Sequence, residues 1–294
     1  MIVLPASGPF SLAAAAAFWS GFPAGSGDGR GAVLELAFPA PPGWGTVAVR
    51  LVEDAAGVGV DVLEDGGLGE GEVARQVAQV LCLDVDGSGF GALGERDPVV
   101  ADLQRGAPGL RPVLFATPYE AAAWTVIGNR VRQAQASALR RRMAEQLGVR
   151  VTASSVPAFP PPAVLAGLDG FPGLPDPKPE RLRALGRAAL DGVLDRDRLR
   201  ALGREEAVAE LLRLPGIGPF SAELVWVRGV GDPDALPTSE PRLQAAVRAA
   251  YGLGEGAGPD ELQRVAESWR PYRSWVALLL RARAGAQTSG GRAS

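Results

Sequence analysis

The segment Leu211-Leu-Arg-Leu-Pro-Gly-Ile-Gly-Pro-Phe-Ser-Ala-Glu-Leu-Val225 constrains the fold more than any other stretch of the chain. A leucine-bearing helical pattern runs into Pro215, Gly216, Ile217 and Gly218, and a second helical pattern begins at once, so the chain must reverse sharply between two packed helices. The two glycines permit a tight backbone and leave main-chain N–H groups accessible to an outside ligand. Ile217 is placed to plug the turn between its helices. N–H groups at the start of the second helix, aided by the helix dipole, offer a place for a phosphate oxygen. The same turn also serves as a purely structural helical hairpin, and the tetrapeptide by itself leaves both readings open.

The rest of the chain divides into two kinds of pattern. AVLELAF (residues 32 to 38), TVAVRLV (46 to 52) and VGVDVL (58 to 63) are short, alternating and Val-rich, and Gly/Pro clusters separate them, which predicts an antiparallel meander. Helical patterns flank it from Phe10 to Trp19 and from Glu72 to Leu83. After about Gly109 the strand signals stop. Thr117, Pro118 and Glu120 fit an N-cap, a first helical residue and a capping box. Further helices are predicted at about 134 to 147, 179 to 191, 205 to 213, 219 to 229, 240 to 251, 259 to 268 and 272 to 283. The proline-punctuated stretch 159 to 180 has enough apolar residues to lie on the helical core. The expected fold class is α+β: a small antiparallel-sheet domain with helices over 1–108, followed by an all-α domain over 109–294.

Composition removes whole classes of chemistry. Histidine is absent, which excludes a Ser/His/Asp triad, a His-ligated metal and a His general base. Cys82 is the single cysteine, which excludes disulfides, Cys-cluster zinc and a four-Cys iron–sulfur cluster, so no metal site is expected and Cys82 reads as a core thiol. Acid–base work falls to carboxylates. Arginines stay charged and form no Schiff base, so Lys178, the single lysine, is the one lyase candidate, and its Pro-rich surroundings predict a solvated side chain. The net charge of −3 is unevenly divided: residues 1 to 110 carry 5 Arg against 14 Asp/Glu, and the remainder carries 25 Lys/Arg against 19 Asp/Glu. That division permits a nucleic-acid-binding second half and is equally compatible with ordinary solvated surfaces. Apolar stretches are broken well short of the roughly 20 residues of a membrane helix, and the N-terminus lacks a basic signal region, so no membrane association and a cytoplasmic location are expected.

The hairpin segment resembles that of the helix-hairpin-helix DNA glycosylase superfamily, and other segments extend the resemblance. Thr117-Pro-Tyr-Glu-Ala-Ala-Ala-Trp-Thr-Val-Ile-Gly-Asn-Arg130 is similar to the first helices of that family's catalytic domain. Gly109-Leu-Arg-Pro112 matches the stretch leading into it, and Glu267-Ser-Trp-Arg-Pro-Tyr-Arg-Ser-Trp275 resembles a Trp/Arg/Pro/Arg/Ser helix near its C-terminus. Within the superfamily the chain resembles the 3-methyladenine-DNA glycosylase II, or AlkA, type, which also carries an N-terminal antiparallel α+β domain.

The resemblance implies base flipping followed by cleavage of the bond between base and deoxyribose, with a carboxylate stabilising positive charge on the sugar and activating water. The family places an aspartate two residues after a proline beyond the hairpin, which aligns here with Ser239 in Leu236-Pro-Thr-Ser-Glu-Pro-Arg-Leu243. Serine supplies no charge. Glu240 stands next to it and is the provisional catalytic carboxylate, or else a helix N-terminal carboxylate followed by Pro241. Asp232 and Asp234 read as turn residues. Gly216, Ile217, Gly218, Pro219 and Ser221 are implied DNA contacts of the hairpin, and a monovalent cation on its carbonyls is implied as well, with no cofactor required. Phe220 occupies the position of the lyase lysine and reads as a base-stacking ring or a core residue. Asn129 and Arg130 are contacts to the DNA gap or polar residues at a helix end. Ala282 aligns with a pocket tryptophan, so the lesion cannot be carried over. Arg140, Arg141 and Arg142 read as a solvated helix face in preference to a phosphate site, and Trp124, Trp226, Trp269 and Trp275 as core.

The expected function is therefore monofunctional removal of alkylated purines from duplex DNA by a monomeric enzyme. The alternative, suggested by Ser239, is a catalytically silent protein that binds damaged or bent DNA; a hairpin-bearing nuclease or lyase ranks behind both. An Arg/Ala/Gly-rich, Lys-poor composition points to a GC-rich bacterial genome, and the DNA-binding role that the resemblance implies gives an expected place on the nucleoid.

Overall fold

The computed structural model describes residues 2–21 and 33–290. Ala32, read as the first residue of a strand, lies outside the described residues. A four-stranded antiparallel sheet forms from β1 (Ile2–Leu4), β2 (Val33–Ala40), β3 (Gly45–Asp54) and β4 (Gly57–Asp65), in the spatial order β1-β4-β3-β2. Its three long strands are the predicted meander, paired as Leu34 to Leu51, Leu36 to Val49 and Leu51 to Val60. The edge strand β1 is three residues long, too short to leave a period in the sequence.

Helices α1 (Leu12–Gly21), α2 (Glu70–Val80), α3 (Gly91–Arg96) and α4 (Pro98–Gly106) accompany the sheet. Asp97 starts α4 by accepting hydrogen bonds from the Val99 and Val100 N–H groups, with Pro98 in the first turn. That Asp-Pro signal was open to reading from the sequence.

The chain then becomes wholly helical: α5 (Pro118–Gly128), α6 (Gln133–Leu147), α7 (Pro162–Ala166), α8 (Lys178–Leu190), α9 (Arg196–Leu202), α10 (Arg204–Leu211), α11 (Pro219–Val225), α12 (Pro241–Tyr251), α13 (Pro259–Ala266) and α14 (Arg273–Gly290). A π-helical turn, Trp226–Val230, extends α11, and a 3-10 turn, Glu267–Trp269, precedes α14. Helix α5 is apolar on nearly every face and correspondingly buried, which makes it the axis of this half. Thr117 caps it, its hydroxyl accepting from the Glu120 N–H at 3.1 Å. Glu120 does not complete the capping box: its Oε2 instead accepts from Arg140 at 2.6 Å in a buried ion pair. Arg140 also lies 5.2 Å from the centre of the Phe159 ring, so the expected solvated face fails at this residue.

Two apolar clusters organise the molecule. One gathers the sheet and α1–α4 together with Leu243, Leu262, Trp269, Trp275 and Leu279 of the C-terminal helices. The other gathers residues from α5–α11, including Tyr119, Ile127, Leu165, Leu211 and Ile217. The last helices thus fold back onto the sheet unit, and α5, α6 and α11 face them across a gap.

Buried arginines stitch the seam between sheet unit and helical half. Arg196 donates to the carbonyls of Gly229, Phe115 and Ala116 at 2.9 Å each and to Gln79 Oε1 at 2.7 Å. Arg111 donates to the carbonyls of Pro9, Cys82 and Val85 and stacks 5.1 Å from the Trp275 ring. Cys82 is buried beside it, as expected of a core thiol, and burial pushes its pKa up to about 12. No helix among the described residues is long and apolar enough to cross a membrane.

Candidate active site

The hairpin has the geometry its glycines require. Gly216 adopts φ +86°, a left-handed conformation that a side chain would strain, while Gly218, the residue before α11, has open space where a Cβ would stand. Ile217 is 6% exposed and belongs to the helical core, as expected of a plug. The turn is open at Gly218, while at Gly216 the Arg181 side chain lies against the backbone.

This turn forms one wall of a cavity of about 620 Å³ between α5, α6 and α11 on one side and α12 and α14 on the other. Of the residues singled out from the sequence, Gly216, Gly218, Pro219, Ser221, Asn129 and Arg130 line it. Phe220 and Glu240 do so too. Ile217 is behind the wall. Arg130 stands exposed at the end of α5 with φ +56°, uncommon for a residue with a side chain. Phe220 is 45% exposed, which disposes of its core reading. Trp124, expected in the core, is half-buried and lines the cavity, whereas Trp226, Trp269 and Trp275 are buried.

Glu240 is the residue immediately before α12, but its side chain makes no capping hydrogen bond. Its Oε1 accepts from Arg281 Nε at 2.5 Å, with both side chains about one-fifth exposed. Arg281 also lines the cavity, next to Ala282, and is not among the residues that the resemblance implies. Ser274, Leu278 and Arg281 share one face of α14, so helical spacing counted from Ser274 was a usable signal.

Ser239 is turned away from the cavity lining. Its hydroxyl donates to Glu223 Oε2 at 2.5 Å and its N–H to the same oxygen at 3.0 Å. Asp232 accepts from Trp226 Nε1 at 2.9 Å and from the Asp234 N–H at 2.8 Å, and Asp234 pairs with Arg273 at 2.9 Å, so both serve the loop.

The expectation of a solvated Lys178 is overturned. Its side chain is buried and Nζ donates to the Ile127 carbonyl at 2.8 Å, one of the last-turn carbonyls of α5 that an α-helix leaves without a partner of its own. Burial and the nearby Arg181 lower its pKa. It is not among the residues around the cavity. No cluster of three or more His, Cys, Asp or Glu side chains suited to a metal ion occurs among the described residues.

No family model matches the chain. It is 24% identical over 216 residues to "DNA-3-methyladenine glycosylase" of Bacillus subtilis, covering 71% of each chain. It is 30% identical over 202 residues to "Probable bifunctional transcriptional activator/DNA repair enzyme AlkA" of Mycobacterium tuberculosis, covering 67% of this chain and 40% of that longer protein. Its fold matches the solved 3-methyladenine DNA-glycosylase of Archaeoglobus fulgidus with a TM-score of 0.79 at 20% identity, over 96% of this chain and 97% of the other. The sheet unit, the hairpin and the cavity behind it are all in place, and relatives named DNA-3-methyladenine glycosylase and AlkA support an AlkA-type helix-hairpin-helix DNA glycosylase.

Proposed function

We propose that the protein is a monofunctional DNA repair glycosylase that flips alkylated purines out of duplex DNA and hydrolyses their N-glycosidic bond, with Glu240 as its catalytic carboxylate. The observation that carries this reading is the position of Glu240 in a cavity walled by the hairpin and by two aromatic residues, Trp124 and Phe220. The N–H groups of Gly218, Phe220 and Ser221, at the start of α11, hold a phosphate of the strand, a contact that positions without reading sequence. Asn129 and Arg130, exposed beyond the end of α5 at the cavity rim, contact the gap left by the flipped nucleotide. The aromatic faces attract an electron-poor alkylated base.

The base leaves with the electron pair of the bond to C1′, and water adds to C1′. The Glu240 carboxylate stabilises the positive sugar and receives the water proton. Arg281 keeps that carboxylate in place. A carboxylate in the cavity one residue beyond Ser239 argues against the catalytically silent reading. Lys178, held on the Ile127 carbonyl, is unsuited to Schiff-base chemistry, and Phe220 offers no amine.

A monovalent cation on the hairpin carbonyls belongs to the same reading, because neutral carbonyl donors suit a weakly held ion that orients phosphate. The protein acts as a monomer on the nucleoid.

Single-turnover release of free base from methylated duplex tests the whole. Release that leaves an intact abasic strand and gives no borohydride-trapped adduct is expected. No release from alkylated, deaminated or oxidised duplexes, alongside tight binding to abasic DNA, overturns the reading in favour of a silent binder. Affinity for duplex should fall steeply with salt as arginines displace counterions.

A further inference from the structure

The loop that delivers Glu240 to the cavity is tied down by a carboxylate for which the reaction has no chemical use. Glu223 lies on α11, three residues beyond Phe220, with its side chain 15% exposed. Its Oε2 accepts both the N–H and the hydroxyl of Ser239, at 3.0 and 2.5 Å. Its Oε1 accepts the Thr238 hydroxyl at 3.3 Å and lies 3.7 Å from Arg204 of α10. Arg204 also donates to the Leu236 carbonyl at 3.3 Å, and Gln244 of α12 donates to the Thr238 carbonyl at 2.8 Å. Three helices therefore hold the loop, and Glu223 makes the contacts adjoining Glu240.

This arrangement accounts for serine at 239. Hydrogen bonds to an ionised carboxylate are short and directional, so Glu223 fixes both backbone and side chain of the residue before Glu240. An aspartate at 239 would set a second carboxylate against Glu223, where two negative charges repel. Because Phe220 and Glu223 share α11, the ring proposed to stack on the base and the tether of the catalytic loop move as one body.

We propose that Glu223 is a positioning residue for glycosidic-bond cleavage, fixing Ser239 so that Glu240 faces C1′, and that Ser239 is the tether of this device and not the remnant of a lost catalytic aspartate. The proposal rests on Glu240 being the catalytic carboxylate. It predicts an unusual outcome: restoring the family's aspartate impairs the enzyme.

Single-turnover base release from methylated duplex and affinity for abasic-site duplex are measured on the full chain for wild type, Glu240→Gln, Ser239→Ala, Ser239→Asp, Glu223→Gln and the double variant Glu223→Gln/Ser239→Asp. Ser239→Asp should slow release by about 10- to 100-fold, the scale of a misplaced catalytic group, with abasic-duplex affinity unchanged. Ser239→Ala, which keeps the N–H contact, should show a smaller loss. The double variant should recover most of the rate, since the side-chain amide introduced by Glu223→Gln donates to the new aspartate; a general folding defect would not be rescued in this way. Ser239→Asp at or above the wild-type rate overturns the proposal, as does a loss that the double variant does not recover. Wild type without release, or Glu240→Gln with full release, overturns the catalytic reading itself and is recognised in those two arms.

Discussion

The seam between the sheet unit and the helical half and the cavity behind the hairpin both hold arginines withdrawn from water, yet they use them differently. At the seam, Arg196 is 6% exposed and directs its donors to three carbonyls and the Gln79 side chain. Burial pushes its pKa down to about 10, which still leaves it charged at neutral pH. In the cavity, Arg281 is 17% exposed and gives its Nε to one carboxylate. A saturated, buried cation organises backbone that no secondary structure satisfies. A partly solvated ion pair leaves its carboxylate beside open space, where substrate can meet it.

The contrast can be broken most forcefully at Arg196. Arg196→Met leaves four buried acceptors without their donor and should cost about 4 kcal/mol in urea unfolding, with base release per folded molecule unchanged. A cost near zero would mean that the seam does not depend on this charge. Glu240→Gln should show the reverse pattern: release slowed by about 100- to 1000-fold, comparable to losing a preorganised electrostatic group, with little change in melting temperature. A large loss of stability with ordinary release would make Glu240 a seam-like structural charge.

Phe220→Ala sharpens the comparison within the cavity. Stacking on a base contributes about 1–3 kcal/mol, so lesion-duplex affinity should fall by roughly that amount while the folded state, which leaves this ring 45% exposed, is little affected. The smallest effect is expected at Glu35, where the sheet meets the helical half. Burial raises its pKa, but the Ser155 N–H and hydroxyl together with Arg50 outweigh that and hold the carboxyl below its usual value. Its contribution to stability is therefore present above the ordinary carboxylate range and is lost as pH falls through the lowered pKa. Acid titration of Glu35→Gln should lack that component; an unchanged acid profile would show that the tie carries no weight.

Much of the fold was legible because the signals were local. Alternation marked the three long strands, apolar spacing and Pro caps marked the main helices, and Pro215 to Gly218 marked the hairpin. The site was legible in part: the two glycines, Phe220, Asn129, Arg130 and Glu240 all stand out in the sequence and all line one cavity. Lys178 and Arg140 look solvated in the sequence because the groups that receive them, the Ile127 carbonyl and Glu120, lie 51 and 20 residues away. Glu223 is inconspicuous for a similar reason, since its partners are in a loop 15 and 16 residues ahead.

The sequence by itself determined the α+β class, the reversal at Gly216 and the dependence of any acid–base chemistry on carboxylates, because backbone conformation, side-chain periodicity and residue chemistry are properties of short segments. Only the tertiary structure decided that Glu240 reaches the cavity while Ser239 turns to Glu223, and that Arg281 meets Glu240 from 41 residues away. Neighbouring residues in a loop point in different directions, and which direction leads to the site depends on helices brought together by the core.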